Sequence, residues 1–110
     1  MTLPEAILFD MDGTIVDTEP LWEGAEGQVL AEMGTQMTPQ MRQKMLGSTL
    51  PRMVAILRSF ARNPLDEAVV ADRVEQGVID RLDAGLPWKD GLVELLGWCH
   101  EHSIPTAVVT

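Results

Sequence analysis

The residues best suited to chemistry lie close to the N-terminus, where two carboxylates follow a short apolar run. Asp10 directly follows residues 6–9, and Asp12 lies two positions further on, before Gly13 and Thr14. Two carboxylates this close repel each other and repel an anionic substrate, so the arrangement is expected mainly around a hard divalent cation such as Mg²⁺. With the cation present, this stretch predicts a site that can hold a phosphate group.

The apolar run predicts the strand that positions this pair. It is short, rich in large hydrophobic residues and bounded by turn residues, as is typical of a strand buried on both faces of a parallel sheet. Ligands of open α/β sheets bind just outside the carboxyl ends of the strands, which is where Asp10, as the last strand residue, and Asp12, on the loop, are expected to lie. The alternative is that Asp10, Asp12 and Asp17 form only a solvated turn that caps the following helix.

Residues 17–85 are predicted to form a compact insert of four helices. Apolar residues recur at helical spacing in four segments, approximately 19–33, 38–46, 51–62 and 64–82, and glycine or proline separates them. Met37, Met41 and Met45 form a stripe that we assign to the core, although methionine also suits an adaptable binding surface.

A fifth helix and a second strand follow the insert. Asp90 is predicted to cap a helix that runs to about residue 102 and buries Cys99, whereas the two histidines near its end are assigned to the surface. Residues 104–109 are apolar and largely β-branched, which predicts a second strand, and Thr110 closes it. The pattern as a whole indicates an α/β protein.

Composition and charge exclude several classes of partner. The 110-residue chain carries a formal net charge of −9 with only eight Lys and Arg, which argues against binding to nucleic acid or to an anionic membrane surface. The sequence has no apolar segment long enough to span a bilayer and no signal-peptide pattern. The single cysteine cannot form an internal disulfide, and we expect a cytoplasmic protein.

The acidic stretch also resembles a known signature. Asp10-Met11-Asp12-Gly13-Thr14, with Asp17-Thr18-Glu19-Pro20 after it, is similar to the first motif of the haloacid dehalogenase-like hydrolase superfamily, in its branch of helical-cap phosphatases and phosphomutases. The resemblance implies that Asp10 attacks phosphorus to form an aspartyl-phosphate and that Asp12 serves as general acid and base. It further implies that Thr14 helps to hold the loop and that Asp10 and the backbone carbonyl of Asp12 bind Mg²⁺.

Two further segments resemble parts of the same superfamily. Gly47-Ser48-Thr49 is similar to the cap loop that selects substrate, and the alternative is an ordinary helix end followed by an N-cap. The basic residues that flank this loop, which either meet an anionic substrate or are simply solvated, are Arg42, Lys44 and Arg52. Thr110 matches the second motif, in which a hydroxyl at the end of a strand binds the phosphoryl group.

The resemblance implies a partial Rossmann-like core of residues 1–16 and 86–110, with two parallel strands, interrupted by an α-helical cap of residues 17–85. The implied function is Mg²⁺-dependent hydrolysis of a small phosphate monoester, with sugar phosphates as the leading class. Asp12 favours phosphate esters, because superfamily members with other chemistry usually change that position. The rival is a phosphomutase of the β-phosphoglucomutase type, but such mutases tend to carry a histidine near the position of Trp22.

Two strands are few for a parallel sheet, which needs helices on both faces. The lysine and the later acidic metal ligand of the superfamily have no position after Thr110, so we expect a truncated, inactive N-terminal half of a longer enzyme. Open strand edges invite pairing, and we expect self-association or disorder at residues 1–10 and 104–110. The remaining alternative is a non-catalytic helical fragment that self-associates.

Overall fold

The computed structural model describes residues 2–110, and in this part of the chain two strands and five helices form an α/β fold. In chain order the elements are β1 (Ile7–Asp10), α1 (Glu19–Glu32), α2 (Pro39–Met45), α3 (Leu50–Phe60), α4 (Glu67–Leu82), α5 (Leu92–Glu101) and β2 (Thr106–Val109). The predicted class, with two parallel strands and helices between them, is confirmed. None of the helices within residues 2–110 is long and apolar enough to cross a membrane.

The chain divides into two compact units. One comprises Met1–Glu19 and Leu86–Thr110 and contains both strands and α5. The other comprises Pro20–Gly85 and contains α2, α3, α4 and all of α1 except its first residue. The sequence placed the first boundary after residue 16, three residues earlier than the division seen here. We refer to them below as the strand unit and the helical unit.

In the strand unit, β1 and β2 pair in parallel from Ile7 opposite Thr106 to Asp10 opposite Val109. Phe9 is buried on one face of this pair, in a small core that also contains Ile15, Val16 and Leu92. The opposite face is bare within the described residues, where Leu8 is 69% exposed and Val109 56% exposed. Phe9 of β1 is therefore buried against Leu92 of α5 and the loop residues Ile15 and Val16, whereas Leu8 and Val109 on the other face remain in solvent.

The helical unit has a larger core. Its fully buried side chains include Leu30, Met33, Leu57, Val70 and Val74, and each buried leucine contributes roughly 1.5–3 kcal/mol of hydrophobic stabilisation. The predicted methionine stripe belongs to this core: Met45 is 3% exposed, and Met37 and Met41 pack against it. The assignment of the stripe to the core is thus confirmed.

The predicted start of α4 at residue 64 is wrong, since the helix begins at Glu67. The backbone of the preceding residues is bonded elsewhere: the Asn63 amide donates to the Met33 carbonyl at 2.9 Å, and the Leu65 amide lies 3.4 Å from the Met33 sulfur. These long-range bonds hold residues 63–65 against the end of α1 and delay the first helical turn.

Two other boundaries differ from expectation. Asp90 does not cap α5, because Gly91 occupies the N-cap position with φ of +84°, and no side chain bonds the first turn. The second strand begins at Thr106 rather than at residue 104. The Ile104 amide donates to the Cys99 carbonyl at 2.9 Å, away from β1. Pro105 has no amide hydrogen to donate, and only its carbonyl contacts β1, where it accepts from the Ile7 amide at 3.0 Å.

Candidate active site at the carboxyl edge of the sheet

The parallel register places the predicted chemistry at one edge of the sheet. Asp10 is the last residue of β1 and lies opposite Val109, the last residue of β2, so that Thr110 follows at the same edge. Asp12 lies two residues beyond Asp10 on the connecting loop. Strands that run in the same direction end on the same side, which is why residues from the two ends of the chain meet here.

The loop after β1 is a compact turn closed by its own backbone. The Gly13 amide donates to the Val16 carbonyl at 2.8 Å, and the amides of Thr14 and Ile15 donate to the Met11 carbonyl at 3.2 and 3.1 Å. Gly13 has φ of +76°, a conformation that only glycine adopts without strain. The turn carries Ile15 and Val16 into the core and leaves the side chain of Thr14 exposed.

A second segment, residues 87–89, braces this loop from the side. The Asp17 amide donates to the Pro87 carbonyl at 2.7 Å, and the Lys89 amide donates to the Ile15 carbonyl at 2.9 Å. The Lys89 ammonium also lies 3.9 Å from the Asp17 carboxylate, but both side chains are more than 40% exposed, so this ion pair adds little. The backbone bonds are therefore what holds the loop in place.

Asp12 is oriented by a buried hydroxyl. Thr18 Oγ1 donates to Asp12 Oδ1 at 2.6 Å, and Thr18 is only 7% exposed. The Asp12 residue itself is exposed, so its carboxylate is fixed at one oxygen while it remains open to solvent. Sequence reasoning missed this role of Thr18, which the motif includes without indicating a contact with Asp12. The only signal for it was the presence of a hydroxyl six positions after Asp12 on a tight loop.

Asp10 is also exposed and has a local hydrogen bond. Its Oδ1 accepts from the Met11 amide at 3.0 Å, within the first step beyond the strand. This bond restricts the rotation of the carboxylate about its side-chain torsions without burying it. Both carboxylates of the predicted pair are thus oriented and accessible at the sheet edge.

The donor chemistry at this edge suits Mg²⁺. Asp10 and Asp12 provide carboxylate oxygens and the loop provides backbone carbonyls, all of them hard ligands, and Mg²⁺ is commonly bound by one or two carboxylates together with substrate phosphate. Within residues 2–110, no three His, Cys, Asp or Glu side chains come together as a metal-binding group. These residues therefore fit a cation that is bound partly by the protein and partly by the phosphate of a substrate. They do not provide a complete set of metal ligands by themselves.

The predicted cap-loop residues lie in the helical unit, between α2 and α3. Gly47 has φ of +71°, and Ser48 bonds back to the Met45 carbonyl through both its amide, at 3.1 Å, and its hydroxyl, at 2.6 Å. Thr49 caps α3 by accepting from the Arg52 amide at 3.4 Å. The helix end and N-cap of the alternative interpretation are both present, and contact of Gly47 and Ser48 with substrate stays a prediction.

The basic residues that flank this loop differ in their surroundings. Arg42 is 13% exposed and pairs with Glu26. The Lys44 ammonium lies 5.3 Å from the centre of the Phe60 ring, and Arg52 is exposed. Arg42 is thus held inside the helical unit. Neither of the two predicted alternatives, contact with substrate or a solvated side chain, describes this position.

The assignments near the C-terminal end of α5 are confirmed. Cys99 is 1% exposed in the core, and His100 and His102 are exposed. The His102 ring packs 4.5 Å from the Trp98 ring between their centres, and its Nδ1 lies 2.8 Å from the Trp98 carbonyl oxygen. The two histidines therefore do not contribute to the sheet edge.

Known proteins resemble this chain in both sequence and structure. A family described as haloacid dehalogenase-like hydrolase matches residues 7–110. Hexitol phosphatase B from Escherichia coli (strain K12) is 31% identical over 112 residues, an alignment that covers 94% of this chain and 49% of the relative. The chain therefore spans about half the length of the curated relatives it matches.

Solved structures have the same fold over nearly the whole chain. A protein from Thermotoga maritima described as a candidate β-phosphoglucomutase superposes with a TM-score of 0.80 at 26% identity, covering 96% of this chain and 49% of that one. CbbY from Rhodobacter sphaeroides, solved in complex with phosphate, superposes with a TM-score of 0.74 at 24% identity, covering 96% and 50%. With a family match over residues 7–110, the chain belongs to the haloacid dehalogenase-like hydrolases.

Proposed function

We propose that the complete protein is a phosphatase that hydrolyses a small phosphate monoester, with sugar or hexitol phosphates as the leading substrate class. The observation that carries this proposal is the pair of accessible carboxylates at the carboxyl end of β1, with Asp12 held by the buried hydroxyl of Thr18. The 31% identity to a hexitol phosphatase supports both the reaction and the substrate class.

Asp10 is the proposed nucleophile. One of its carboxylate oxygens attacks the phosphorus atom, the bond from phosphorus to the ester oxygen breaks, and an aspartyl-phosphate forms. Water then attacks the phosphorus of this intermediate, which releases inorganic phosphate and restores the carboxylate. The end of β1 suits this role because Asp10 is exposed there and its carboxylate accepts a hydrogen bond from the Met11 amide.

Asp12 is the proposed general acid and base. In its protonated form it gives a proton to the departing alkoxide oxygen, and as a carboxylate it then takes a proton from the attacking water. Both transfers require the same carboxyl group to be held in one orientation through the cycle. The bond from Thr18 at 2.6 Å supports this because it fixes one Asp12 oxygen and leaves the group accessible.

The remaining predicted residues are assigned to binding. Asp10 and Asp12 would hold Mg²⁺, which when bound offsets negative charge on the phosphoryl oxygens. The hydroxyls of Thr14 and Thr110 are proposed to donate to the phosphoryl oxygens, and Gly47 and Ser48 to contact the part of the substrate beyond the phosphate. We further propose a cytoplasmic location, in keeping with a single buried cysteine.

A phosphomutase is the second candidate. The specific observation in its favour is the likeness to the Thermotoga maritima structure, at 26% identity and a TM-score of 0.80. Both activities share the attack by Asp10 and differ in the acceptor of the phosphoryl group, which is water in one case and a sugar hydroxyl in the other. The products distinguish them: inorganic phosphate for hydrolysis, and an isomeric sugar phosphate for transfer.

The test is phosphate release by the complete gene product from a panel of hexitol and sugar phosphates, with and without Mg²⁺. Asp10→Asn keeps the shape of the side chain but removes the nucleophilic charge, so we expect turnover to be lost. The matched control is Asp17→Asn, the same change at a carboxylate of the same loop to which no reacting role is assigned, and it should keep most of the activity. Unaltered turnover in Asp10→Asn would overturn the proposed function.

A further inference from the structure

We propose that the buried ion pair between Glu26 on α1 and Arg42 on α2 positions the loop of residues 47–49, and that it thereby acts as a positioning pair for substrate recognition. The part that concerns recognition rests on the proposed function of this loop. The pair itself is independent of that function, because it is a property of the helical unit alone.

Glu26 is unusual in its burial. Its side chain is 5% exposed, and among the described residues it is the only charged residue in the buried class. Arg42 is 13% exposed; its Nη1 donates to Glu26 Oε2, and its Nε lies 3.9 Å from the carboxylate of Glu23. Burying two charges requires close pairing to offset their desolvation, so this contact accepts only a narrow range of positions for α2 relative to α1.

The other contacts of α2 define its position less sharply. The helix has only seven residues, too few to be stable alone. Its apolar contacts to the core are made by Met41 and Met45, and methionine adapts to many packing geometries because it has three rotatable bonds. The ion pair of Arg42 has a preferred direction, and it therefore fixes the position of α2 more narrowly than the methionine contacts do.

The position of α2 is passed on to the loop through backbone bonds. Arg42 lies three residues before Met45, within one helical turn. The Met45 carbonyl accepts from both the amide and the hydroxyl of Ser48, at 3.1 and 2.6 Å. Any shift of the last turn of α2 therefore moves Ser48 and, next to it, the N-cap Thr49 of α3.

The test combines Glu26→Leu with Arg42→Met and compares this double variant with Glu32→Leu combined with Arg73→Met. The control removes the same charges from another pair that begins on α1, at 2.9 Å, but its arginine is on α4 and its side chains are 37% and 48% exposed. Replacing Glu26 and Arg42 together leaves no buried charge without a partner, and Glu23, which loses its contact with Arg42, is 60% exposed and solvated. Both double variants should therefore fold with urea midpoints close to the wild type.

The deciding readout is native-state hydrogen exchange at the Ser48 amide. We expect exchange to become about tenfold faster when Glu26 and Arg42 are replaced, because the bond to Met45 is no longer held in register, and to stay unchanged in the control. Arg42→Lys provides a second variant, which keeps the positive charge but loses the planar guanidinium group. Its exchange rate at the Ser48 amide should lie between those of the wild type and of the double variant at Glu26 and Arg42. Unchanged exchange in both Arg42 variants, or equal acceleration in the control, would overturn the positioning role.

A kinetic readout tests recognition separately. With hexitol phosphates and the complete gene product, the double variant at Glu26 and Arg42 should raise KM about tenfold with kcat largely retained, as expected when a binding loop is displaced and the reacting groups are intact. Faster exchange with unchanged KM would overturn the recognition role and leave the positioning role standing. A wild-type protein without any turnover would instead refute the proposed function, and the exchange result would still decide whether the pair positions the loop.

Discussion

Asp12 is the residue whose surroundings most directly limit its chemistry. Its carboxylate receives the Thr18 hydroxyl, and Thr18 is buried and cannot easily move away. A carboxyl group that must both donate and accept a proton benefits from one fixed oxygen, because each transfer needs hydrogen-bonding distance to the reacting atom. The buried hydroxyl is therefore the feature of the strand unit that we connect most closely with catalytic rate.

We predict that Thr18→Val lowers kcat about tenfold and changes KM little, since the variant loses one hydrogen bond that orients Asp12 and keeps the volume of the side chain. Stability should change little, because Asp12 is exposed and its freed oxygen is solvated. Turnover of a hexitol phosphate by the complete gene product provides the measurement. Thr106→Val, the same change at an exposed position of β2, is the control and should keep full activity. Equal kcat in the two variants would contradict the assigned role of Thr18.

The loop between β1 and α1 depends on its backbone more than on its side chains. Gly13 adopts positive φ, its amide closes the turn, and residues 87–89 bond the far side. A turn of this kind aligns Asp12 through the conformation of a neighbouring glycine. The conformation of this loop is therefore sensitive to substitutions that change the φ and ψ angles a residue prefers, even when they change no side-chain contact.

Gly13→Ala is predicted to destabilise the strand unit by about 1–2 kcal/mol, which is the cost of a left-handed conformation for a residue with a side chain. Apart from Gly13 and its two chain neighbours, no residue has an atom within 4 Å of the added Cβ, so a steric clash with the rest of the fold does not contribute. Gly97→Ala is the matched control: it lies inside α5 of the same unit, also with open space around it, and should stabilise by about 0.5–1 kcal/mol. Urea unfolding of both variants, followed by a signal of the strand unit, gives the comparison. A Gly13→Ala variant as stable as the wild type would contradict the strain argument.

The helices were predictable where local pattern decides and less so where distant contacts decide. The stripe at Met37, Met41 and Met45 follows helical periodicity, and its burial agrees with that pattern. The start of α4 was missed because the amide of Asn63 is bonded to Met33, a partner thirty positions earlier that no local pattern reveals. The N-cap of α5 was wrongly assigned to Asp90 because Gly91, with positive φ, lies between Asp90 and the helix and occupies the N-cap position itself.

The position of Asp10 and Asp12 at the carboxyl end of β1 was predictable from the sequence, and the side chains that support them were not. Asp10 and Asp12 follow from an apolar run that ends in two carboxylates, and the parallel pairing of the two strands brings Thr110 to the same edge. The contacts of Thr18 and Glu26 were not predicted, because each depends on a side chain meeting another element or another part of the loop in space. Sequence patterns report periodicity and local turns, and they carry no information about such pairs.

The sheet of the strand unit has one apolar face that no described residue covers. Leu8 and Val109 lie on this face and are more than half exposed, whereas parallel sheets are ordinarily covered on both sides. An apolar face next to open strand edges favours association with another polypeptide. For the 110-residue chain by itself, the partner most available at high concentration is a second copy.

We predict that the 110-residue chain self-associates, and that Leu8→Gln weakens the association by placing a polar group on the bare face. Sedimentation velocity over a range of protein concentrations measures this directly. Ile79→Gln is the control, since Ile79 is a 49% exposed apolar residue of α4 in the helical unit and its replacement should leave the association unchanged. A wild-type chain that sediments as a monomer at every concentration would contradict the prediction.

The hydrogen bond between the Asp17 amide and the Pro87 carbonyl has a consequence for how the molecule folds. Pairing β1 with β2 closes a loop that contains nearly the whole chain, and the entropy cost of such a closure grows with the length of the unordered segment. Once the segment between residues 17 and 87 is folded and its two ends are joined by this bond, the connections that remain to be ordered are residues 11–16 and residues 88–105, and the second of these contains α5. A helical unit that folds between the two strands in the chain thus leaves a shorter unordered segment for their pairing to close, which shortens the search that leads to the candidate active site.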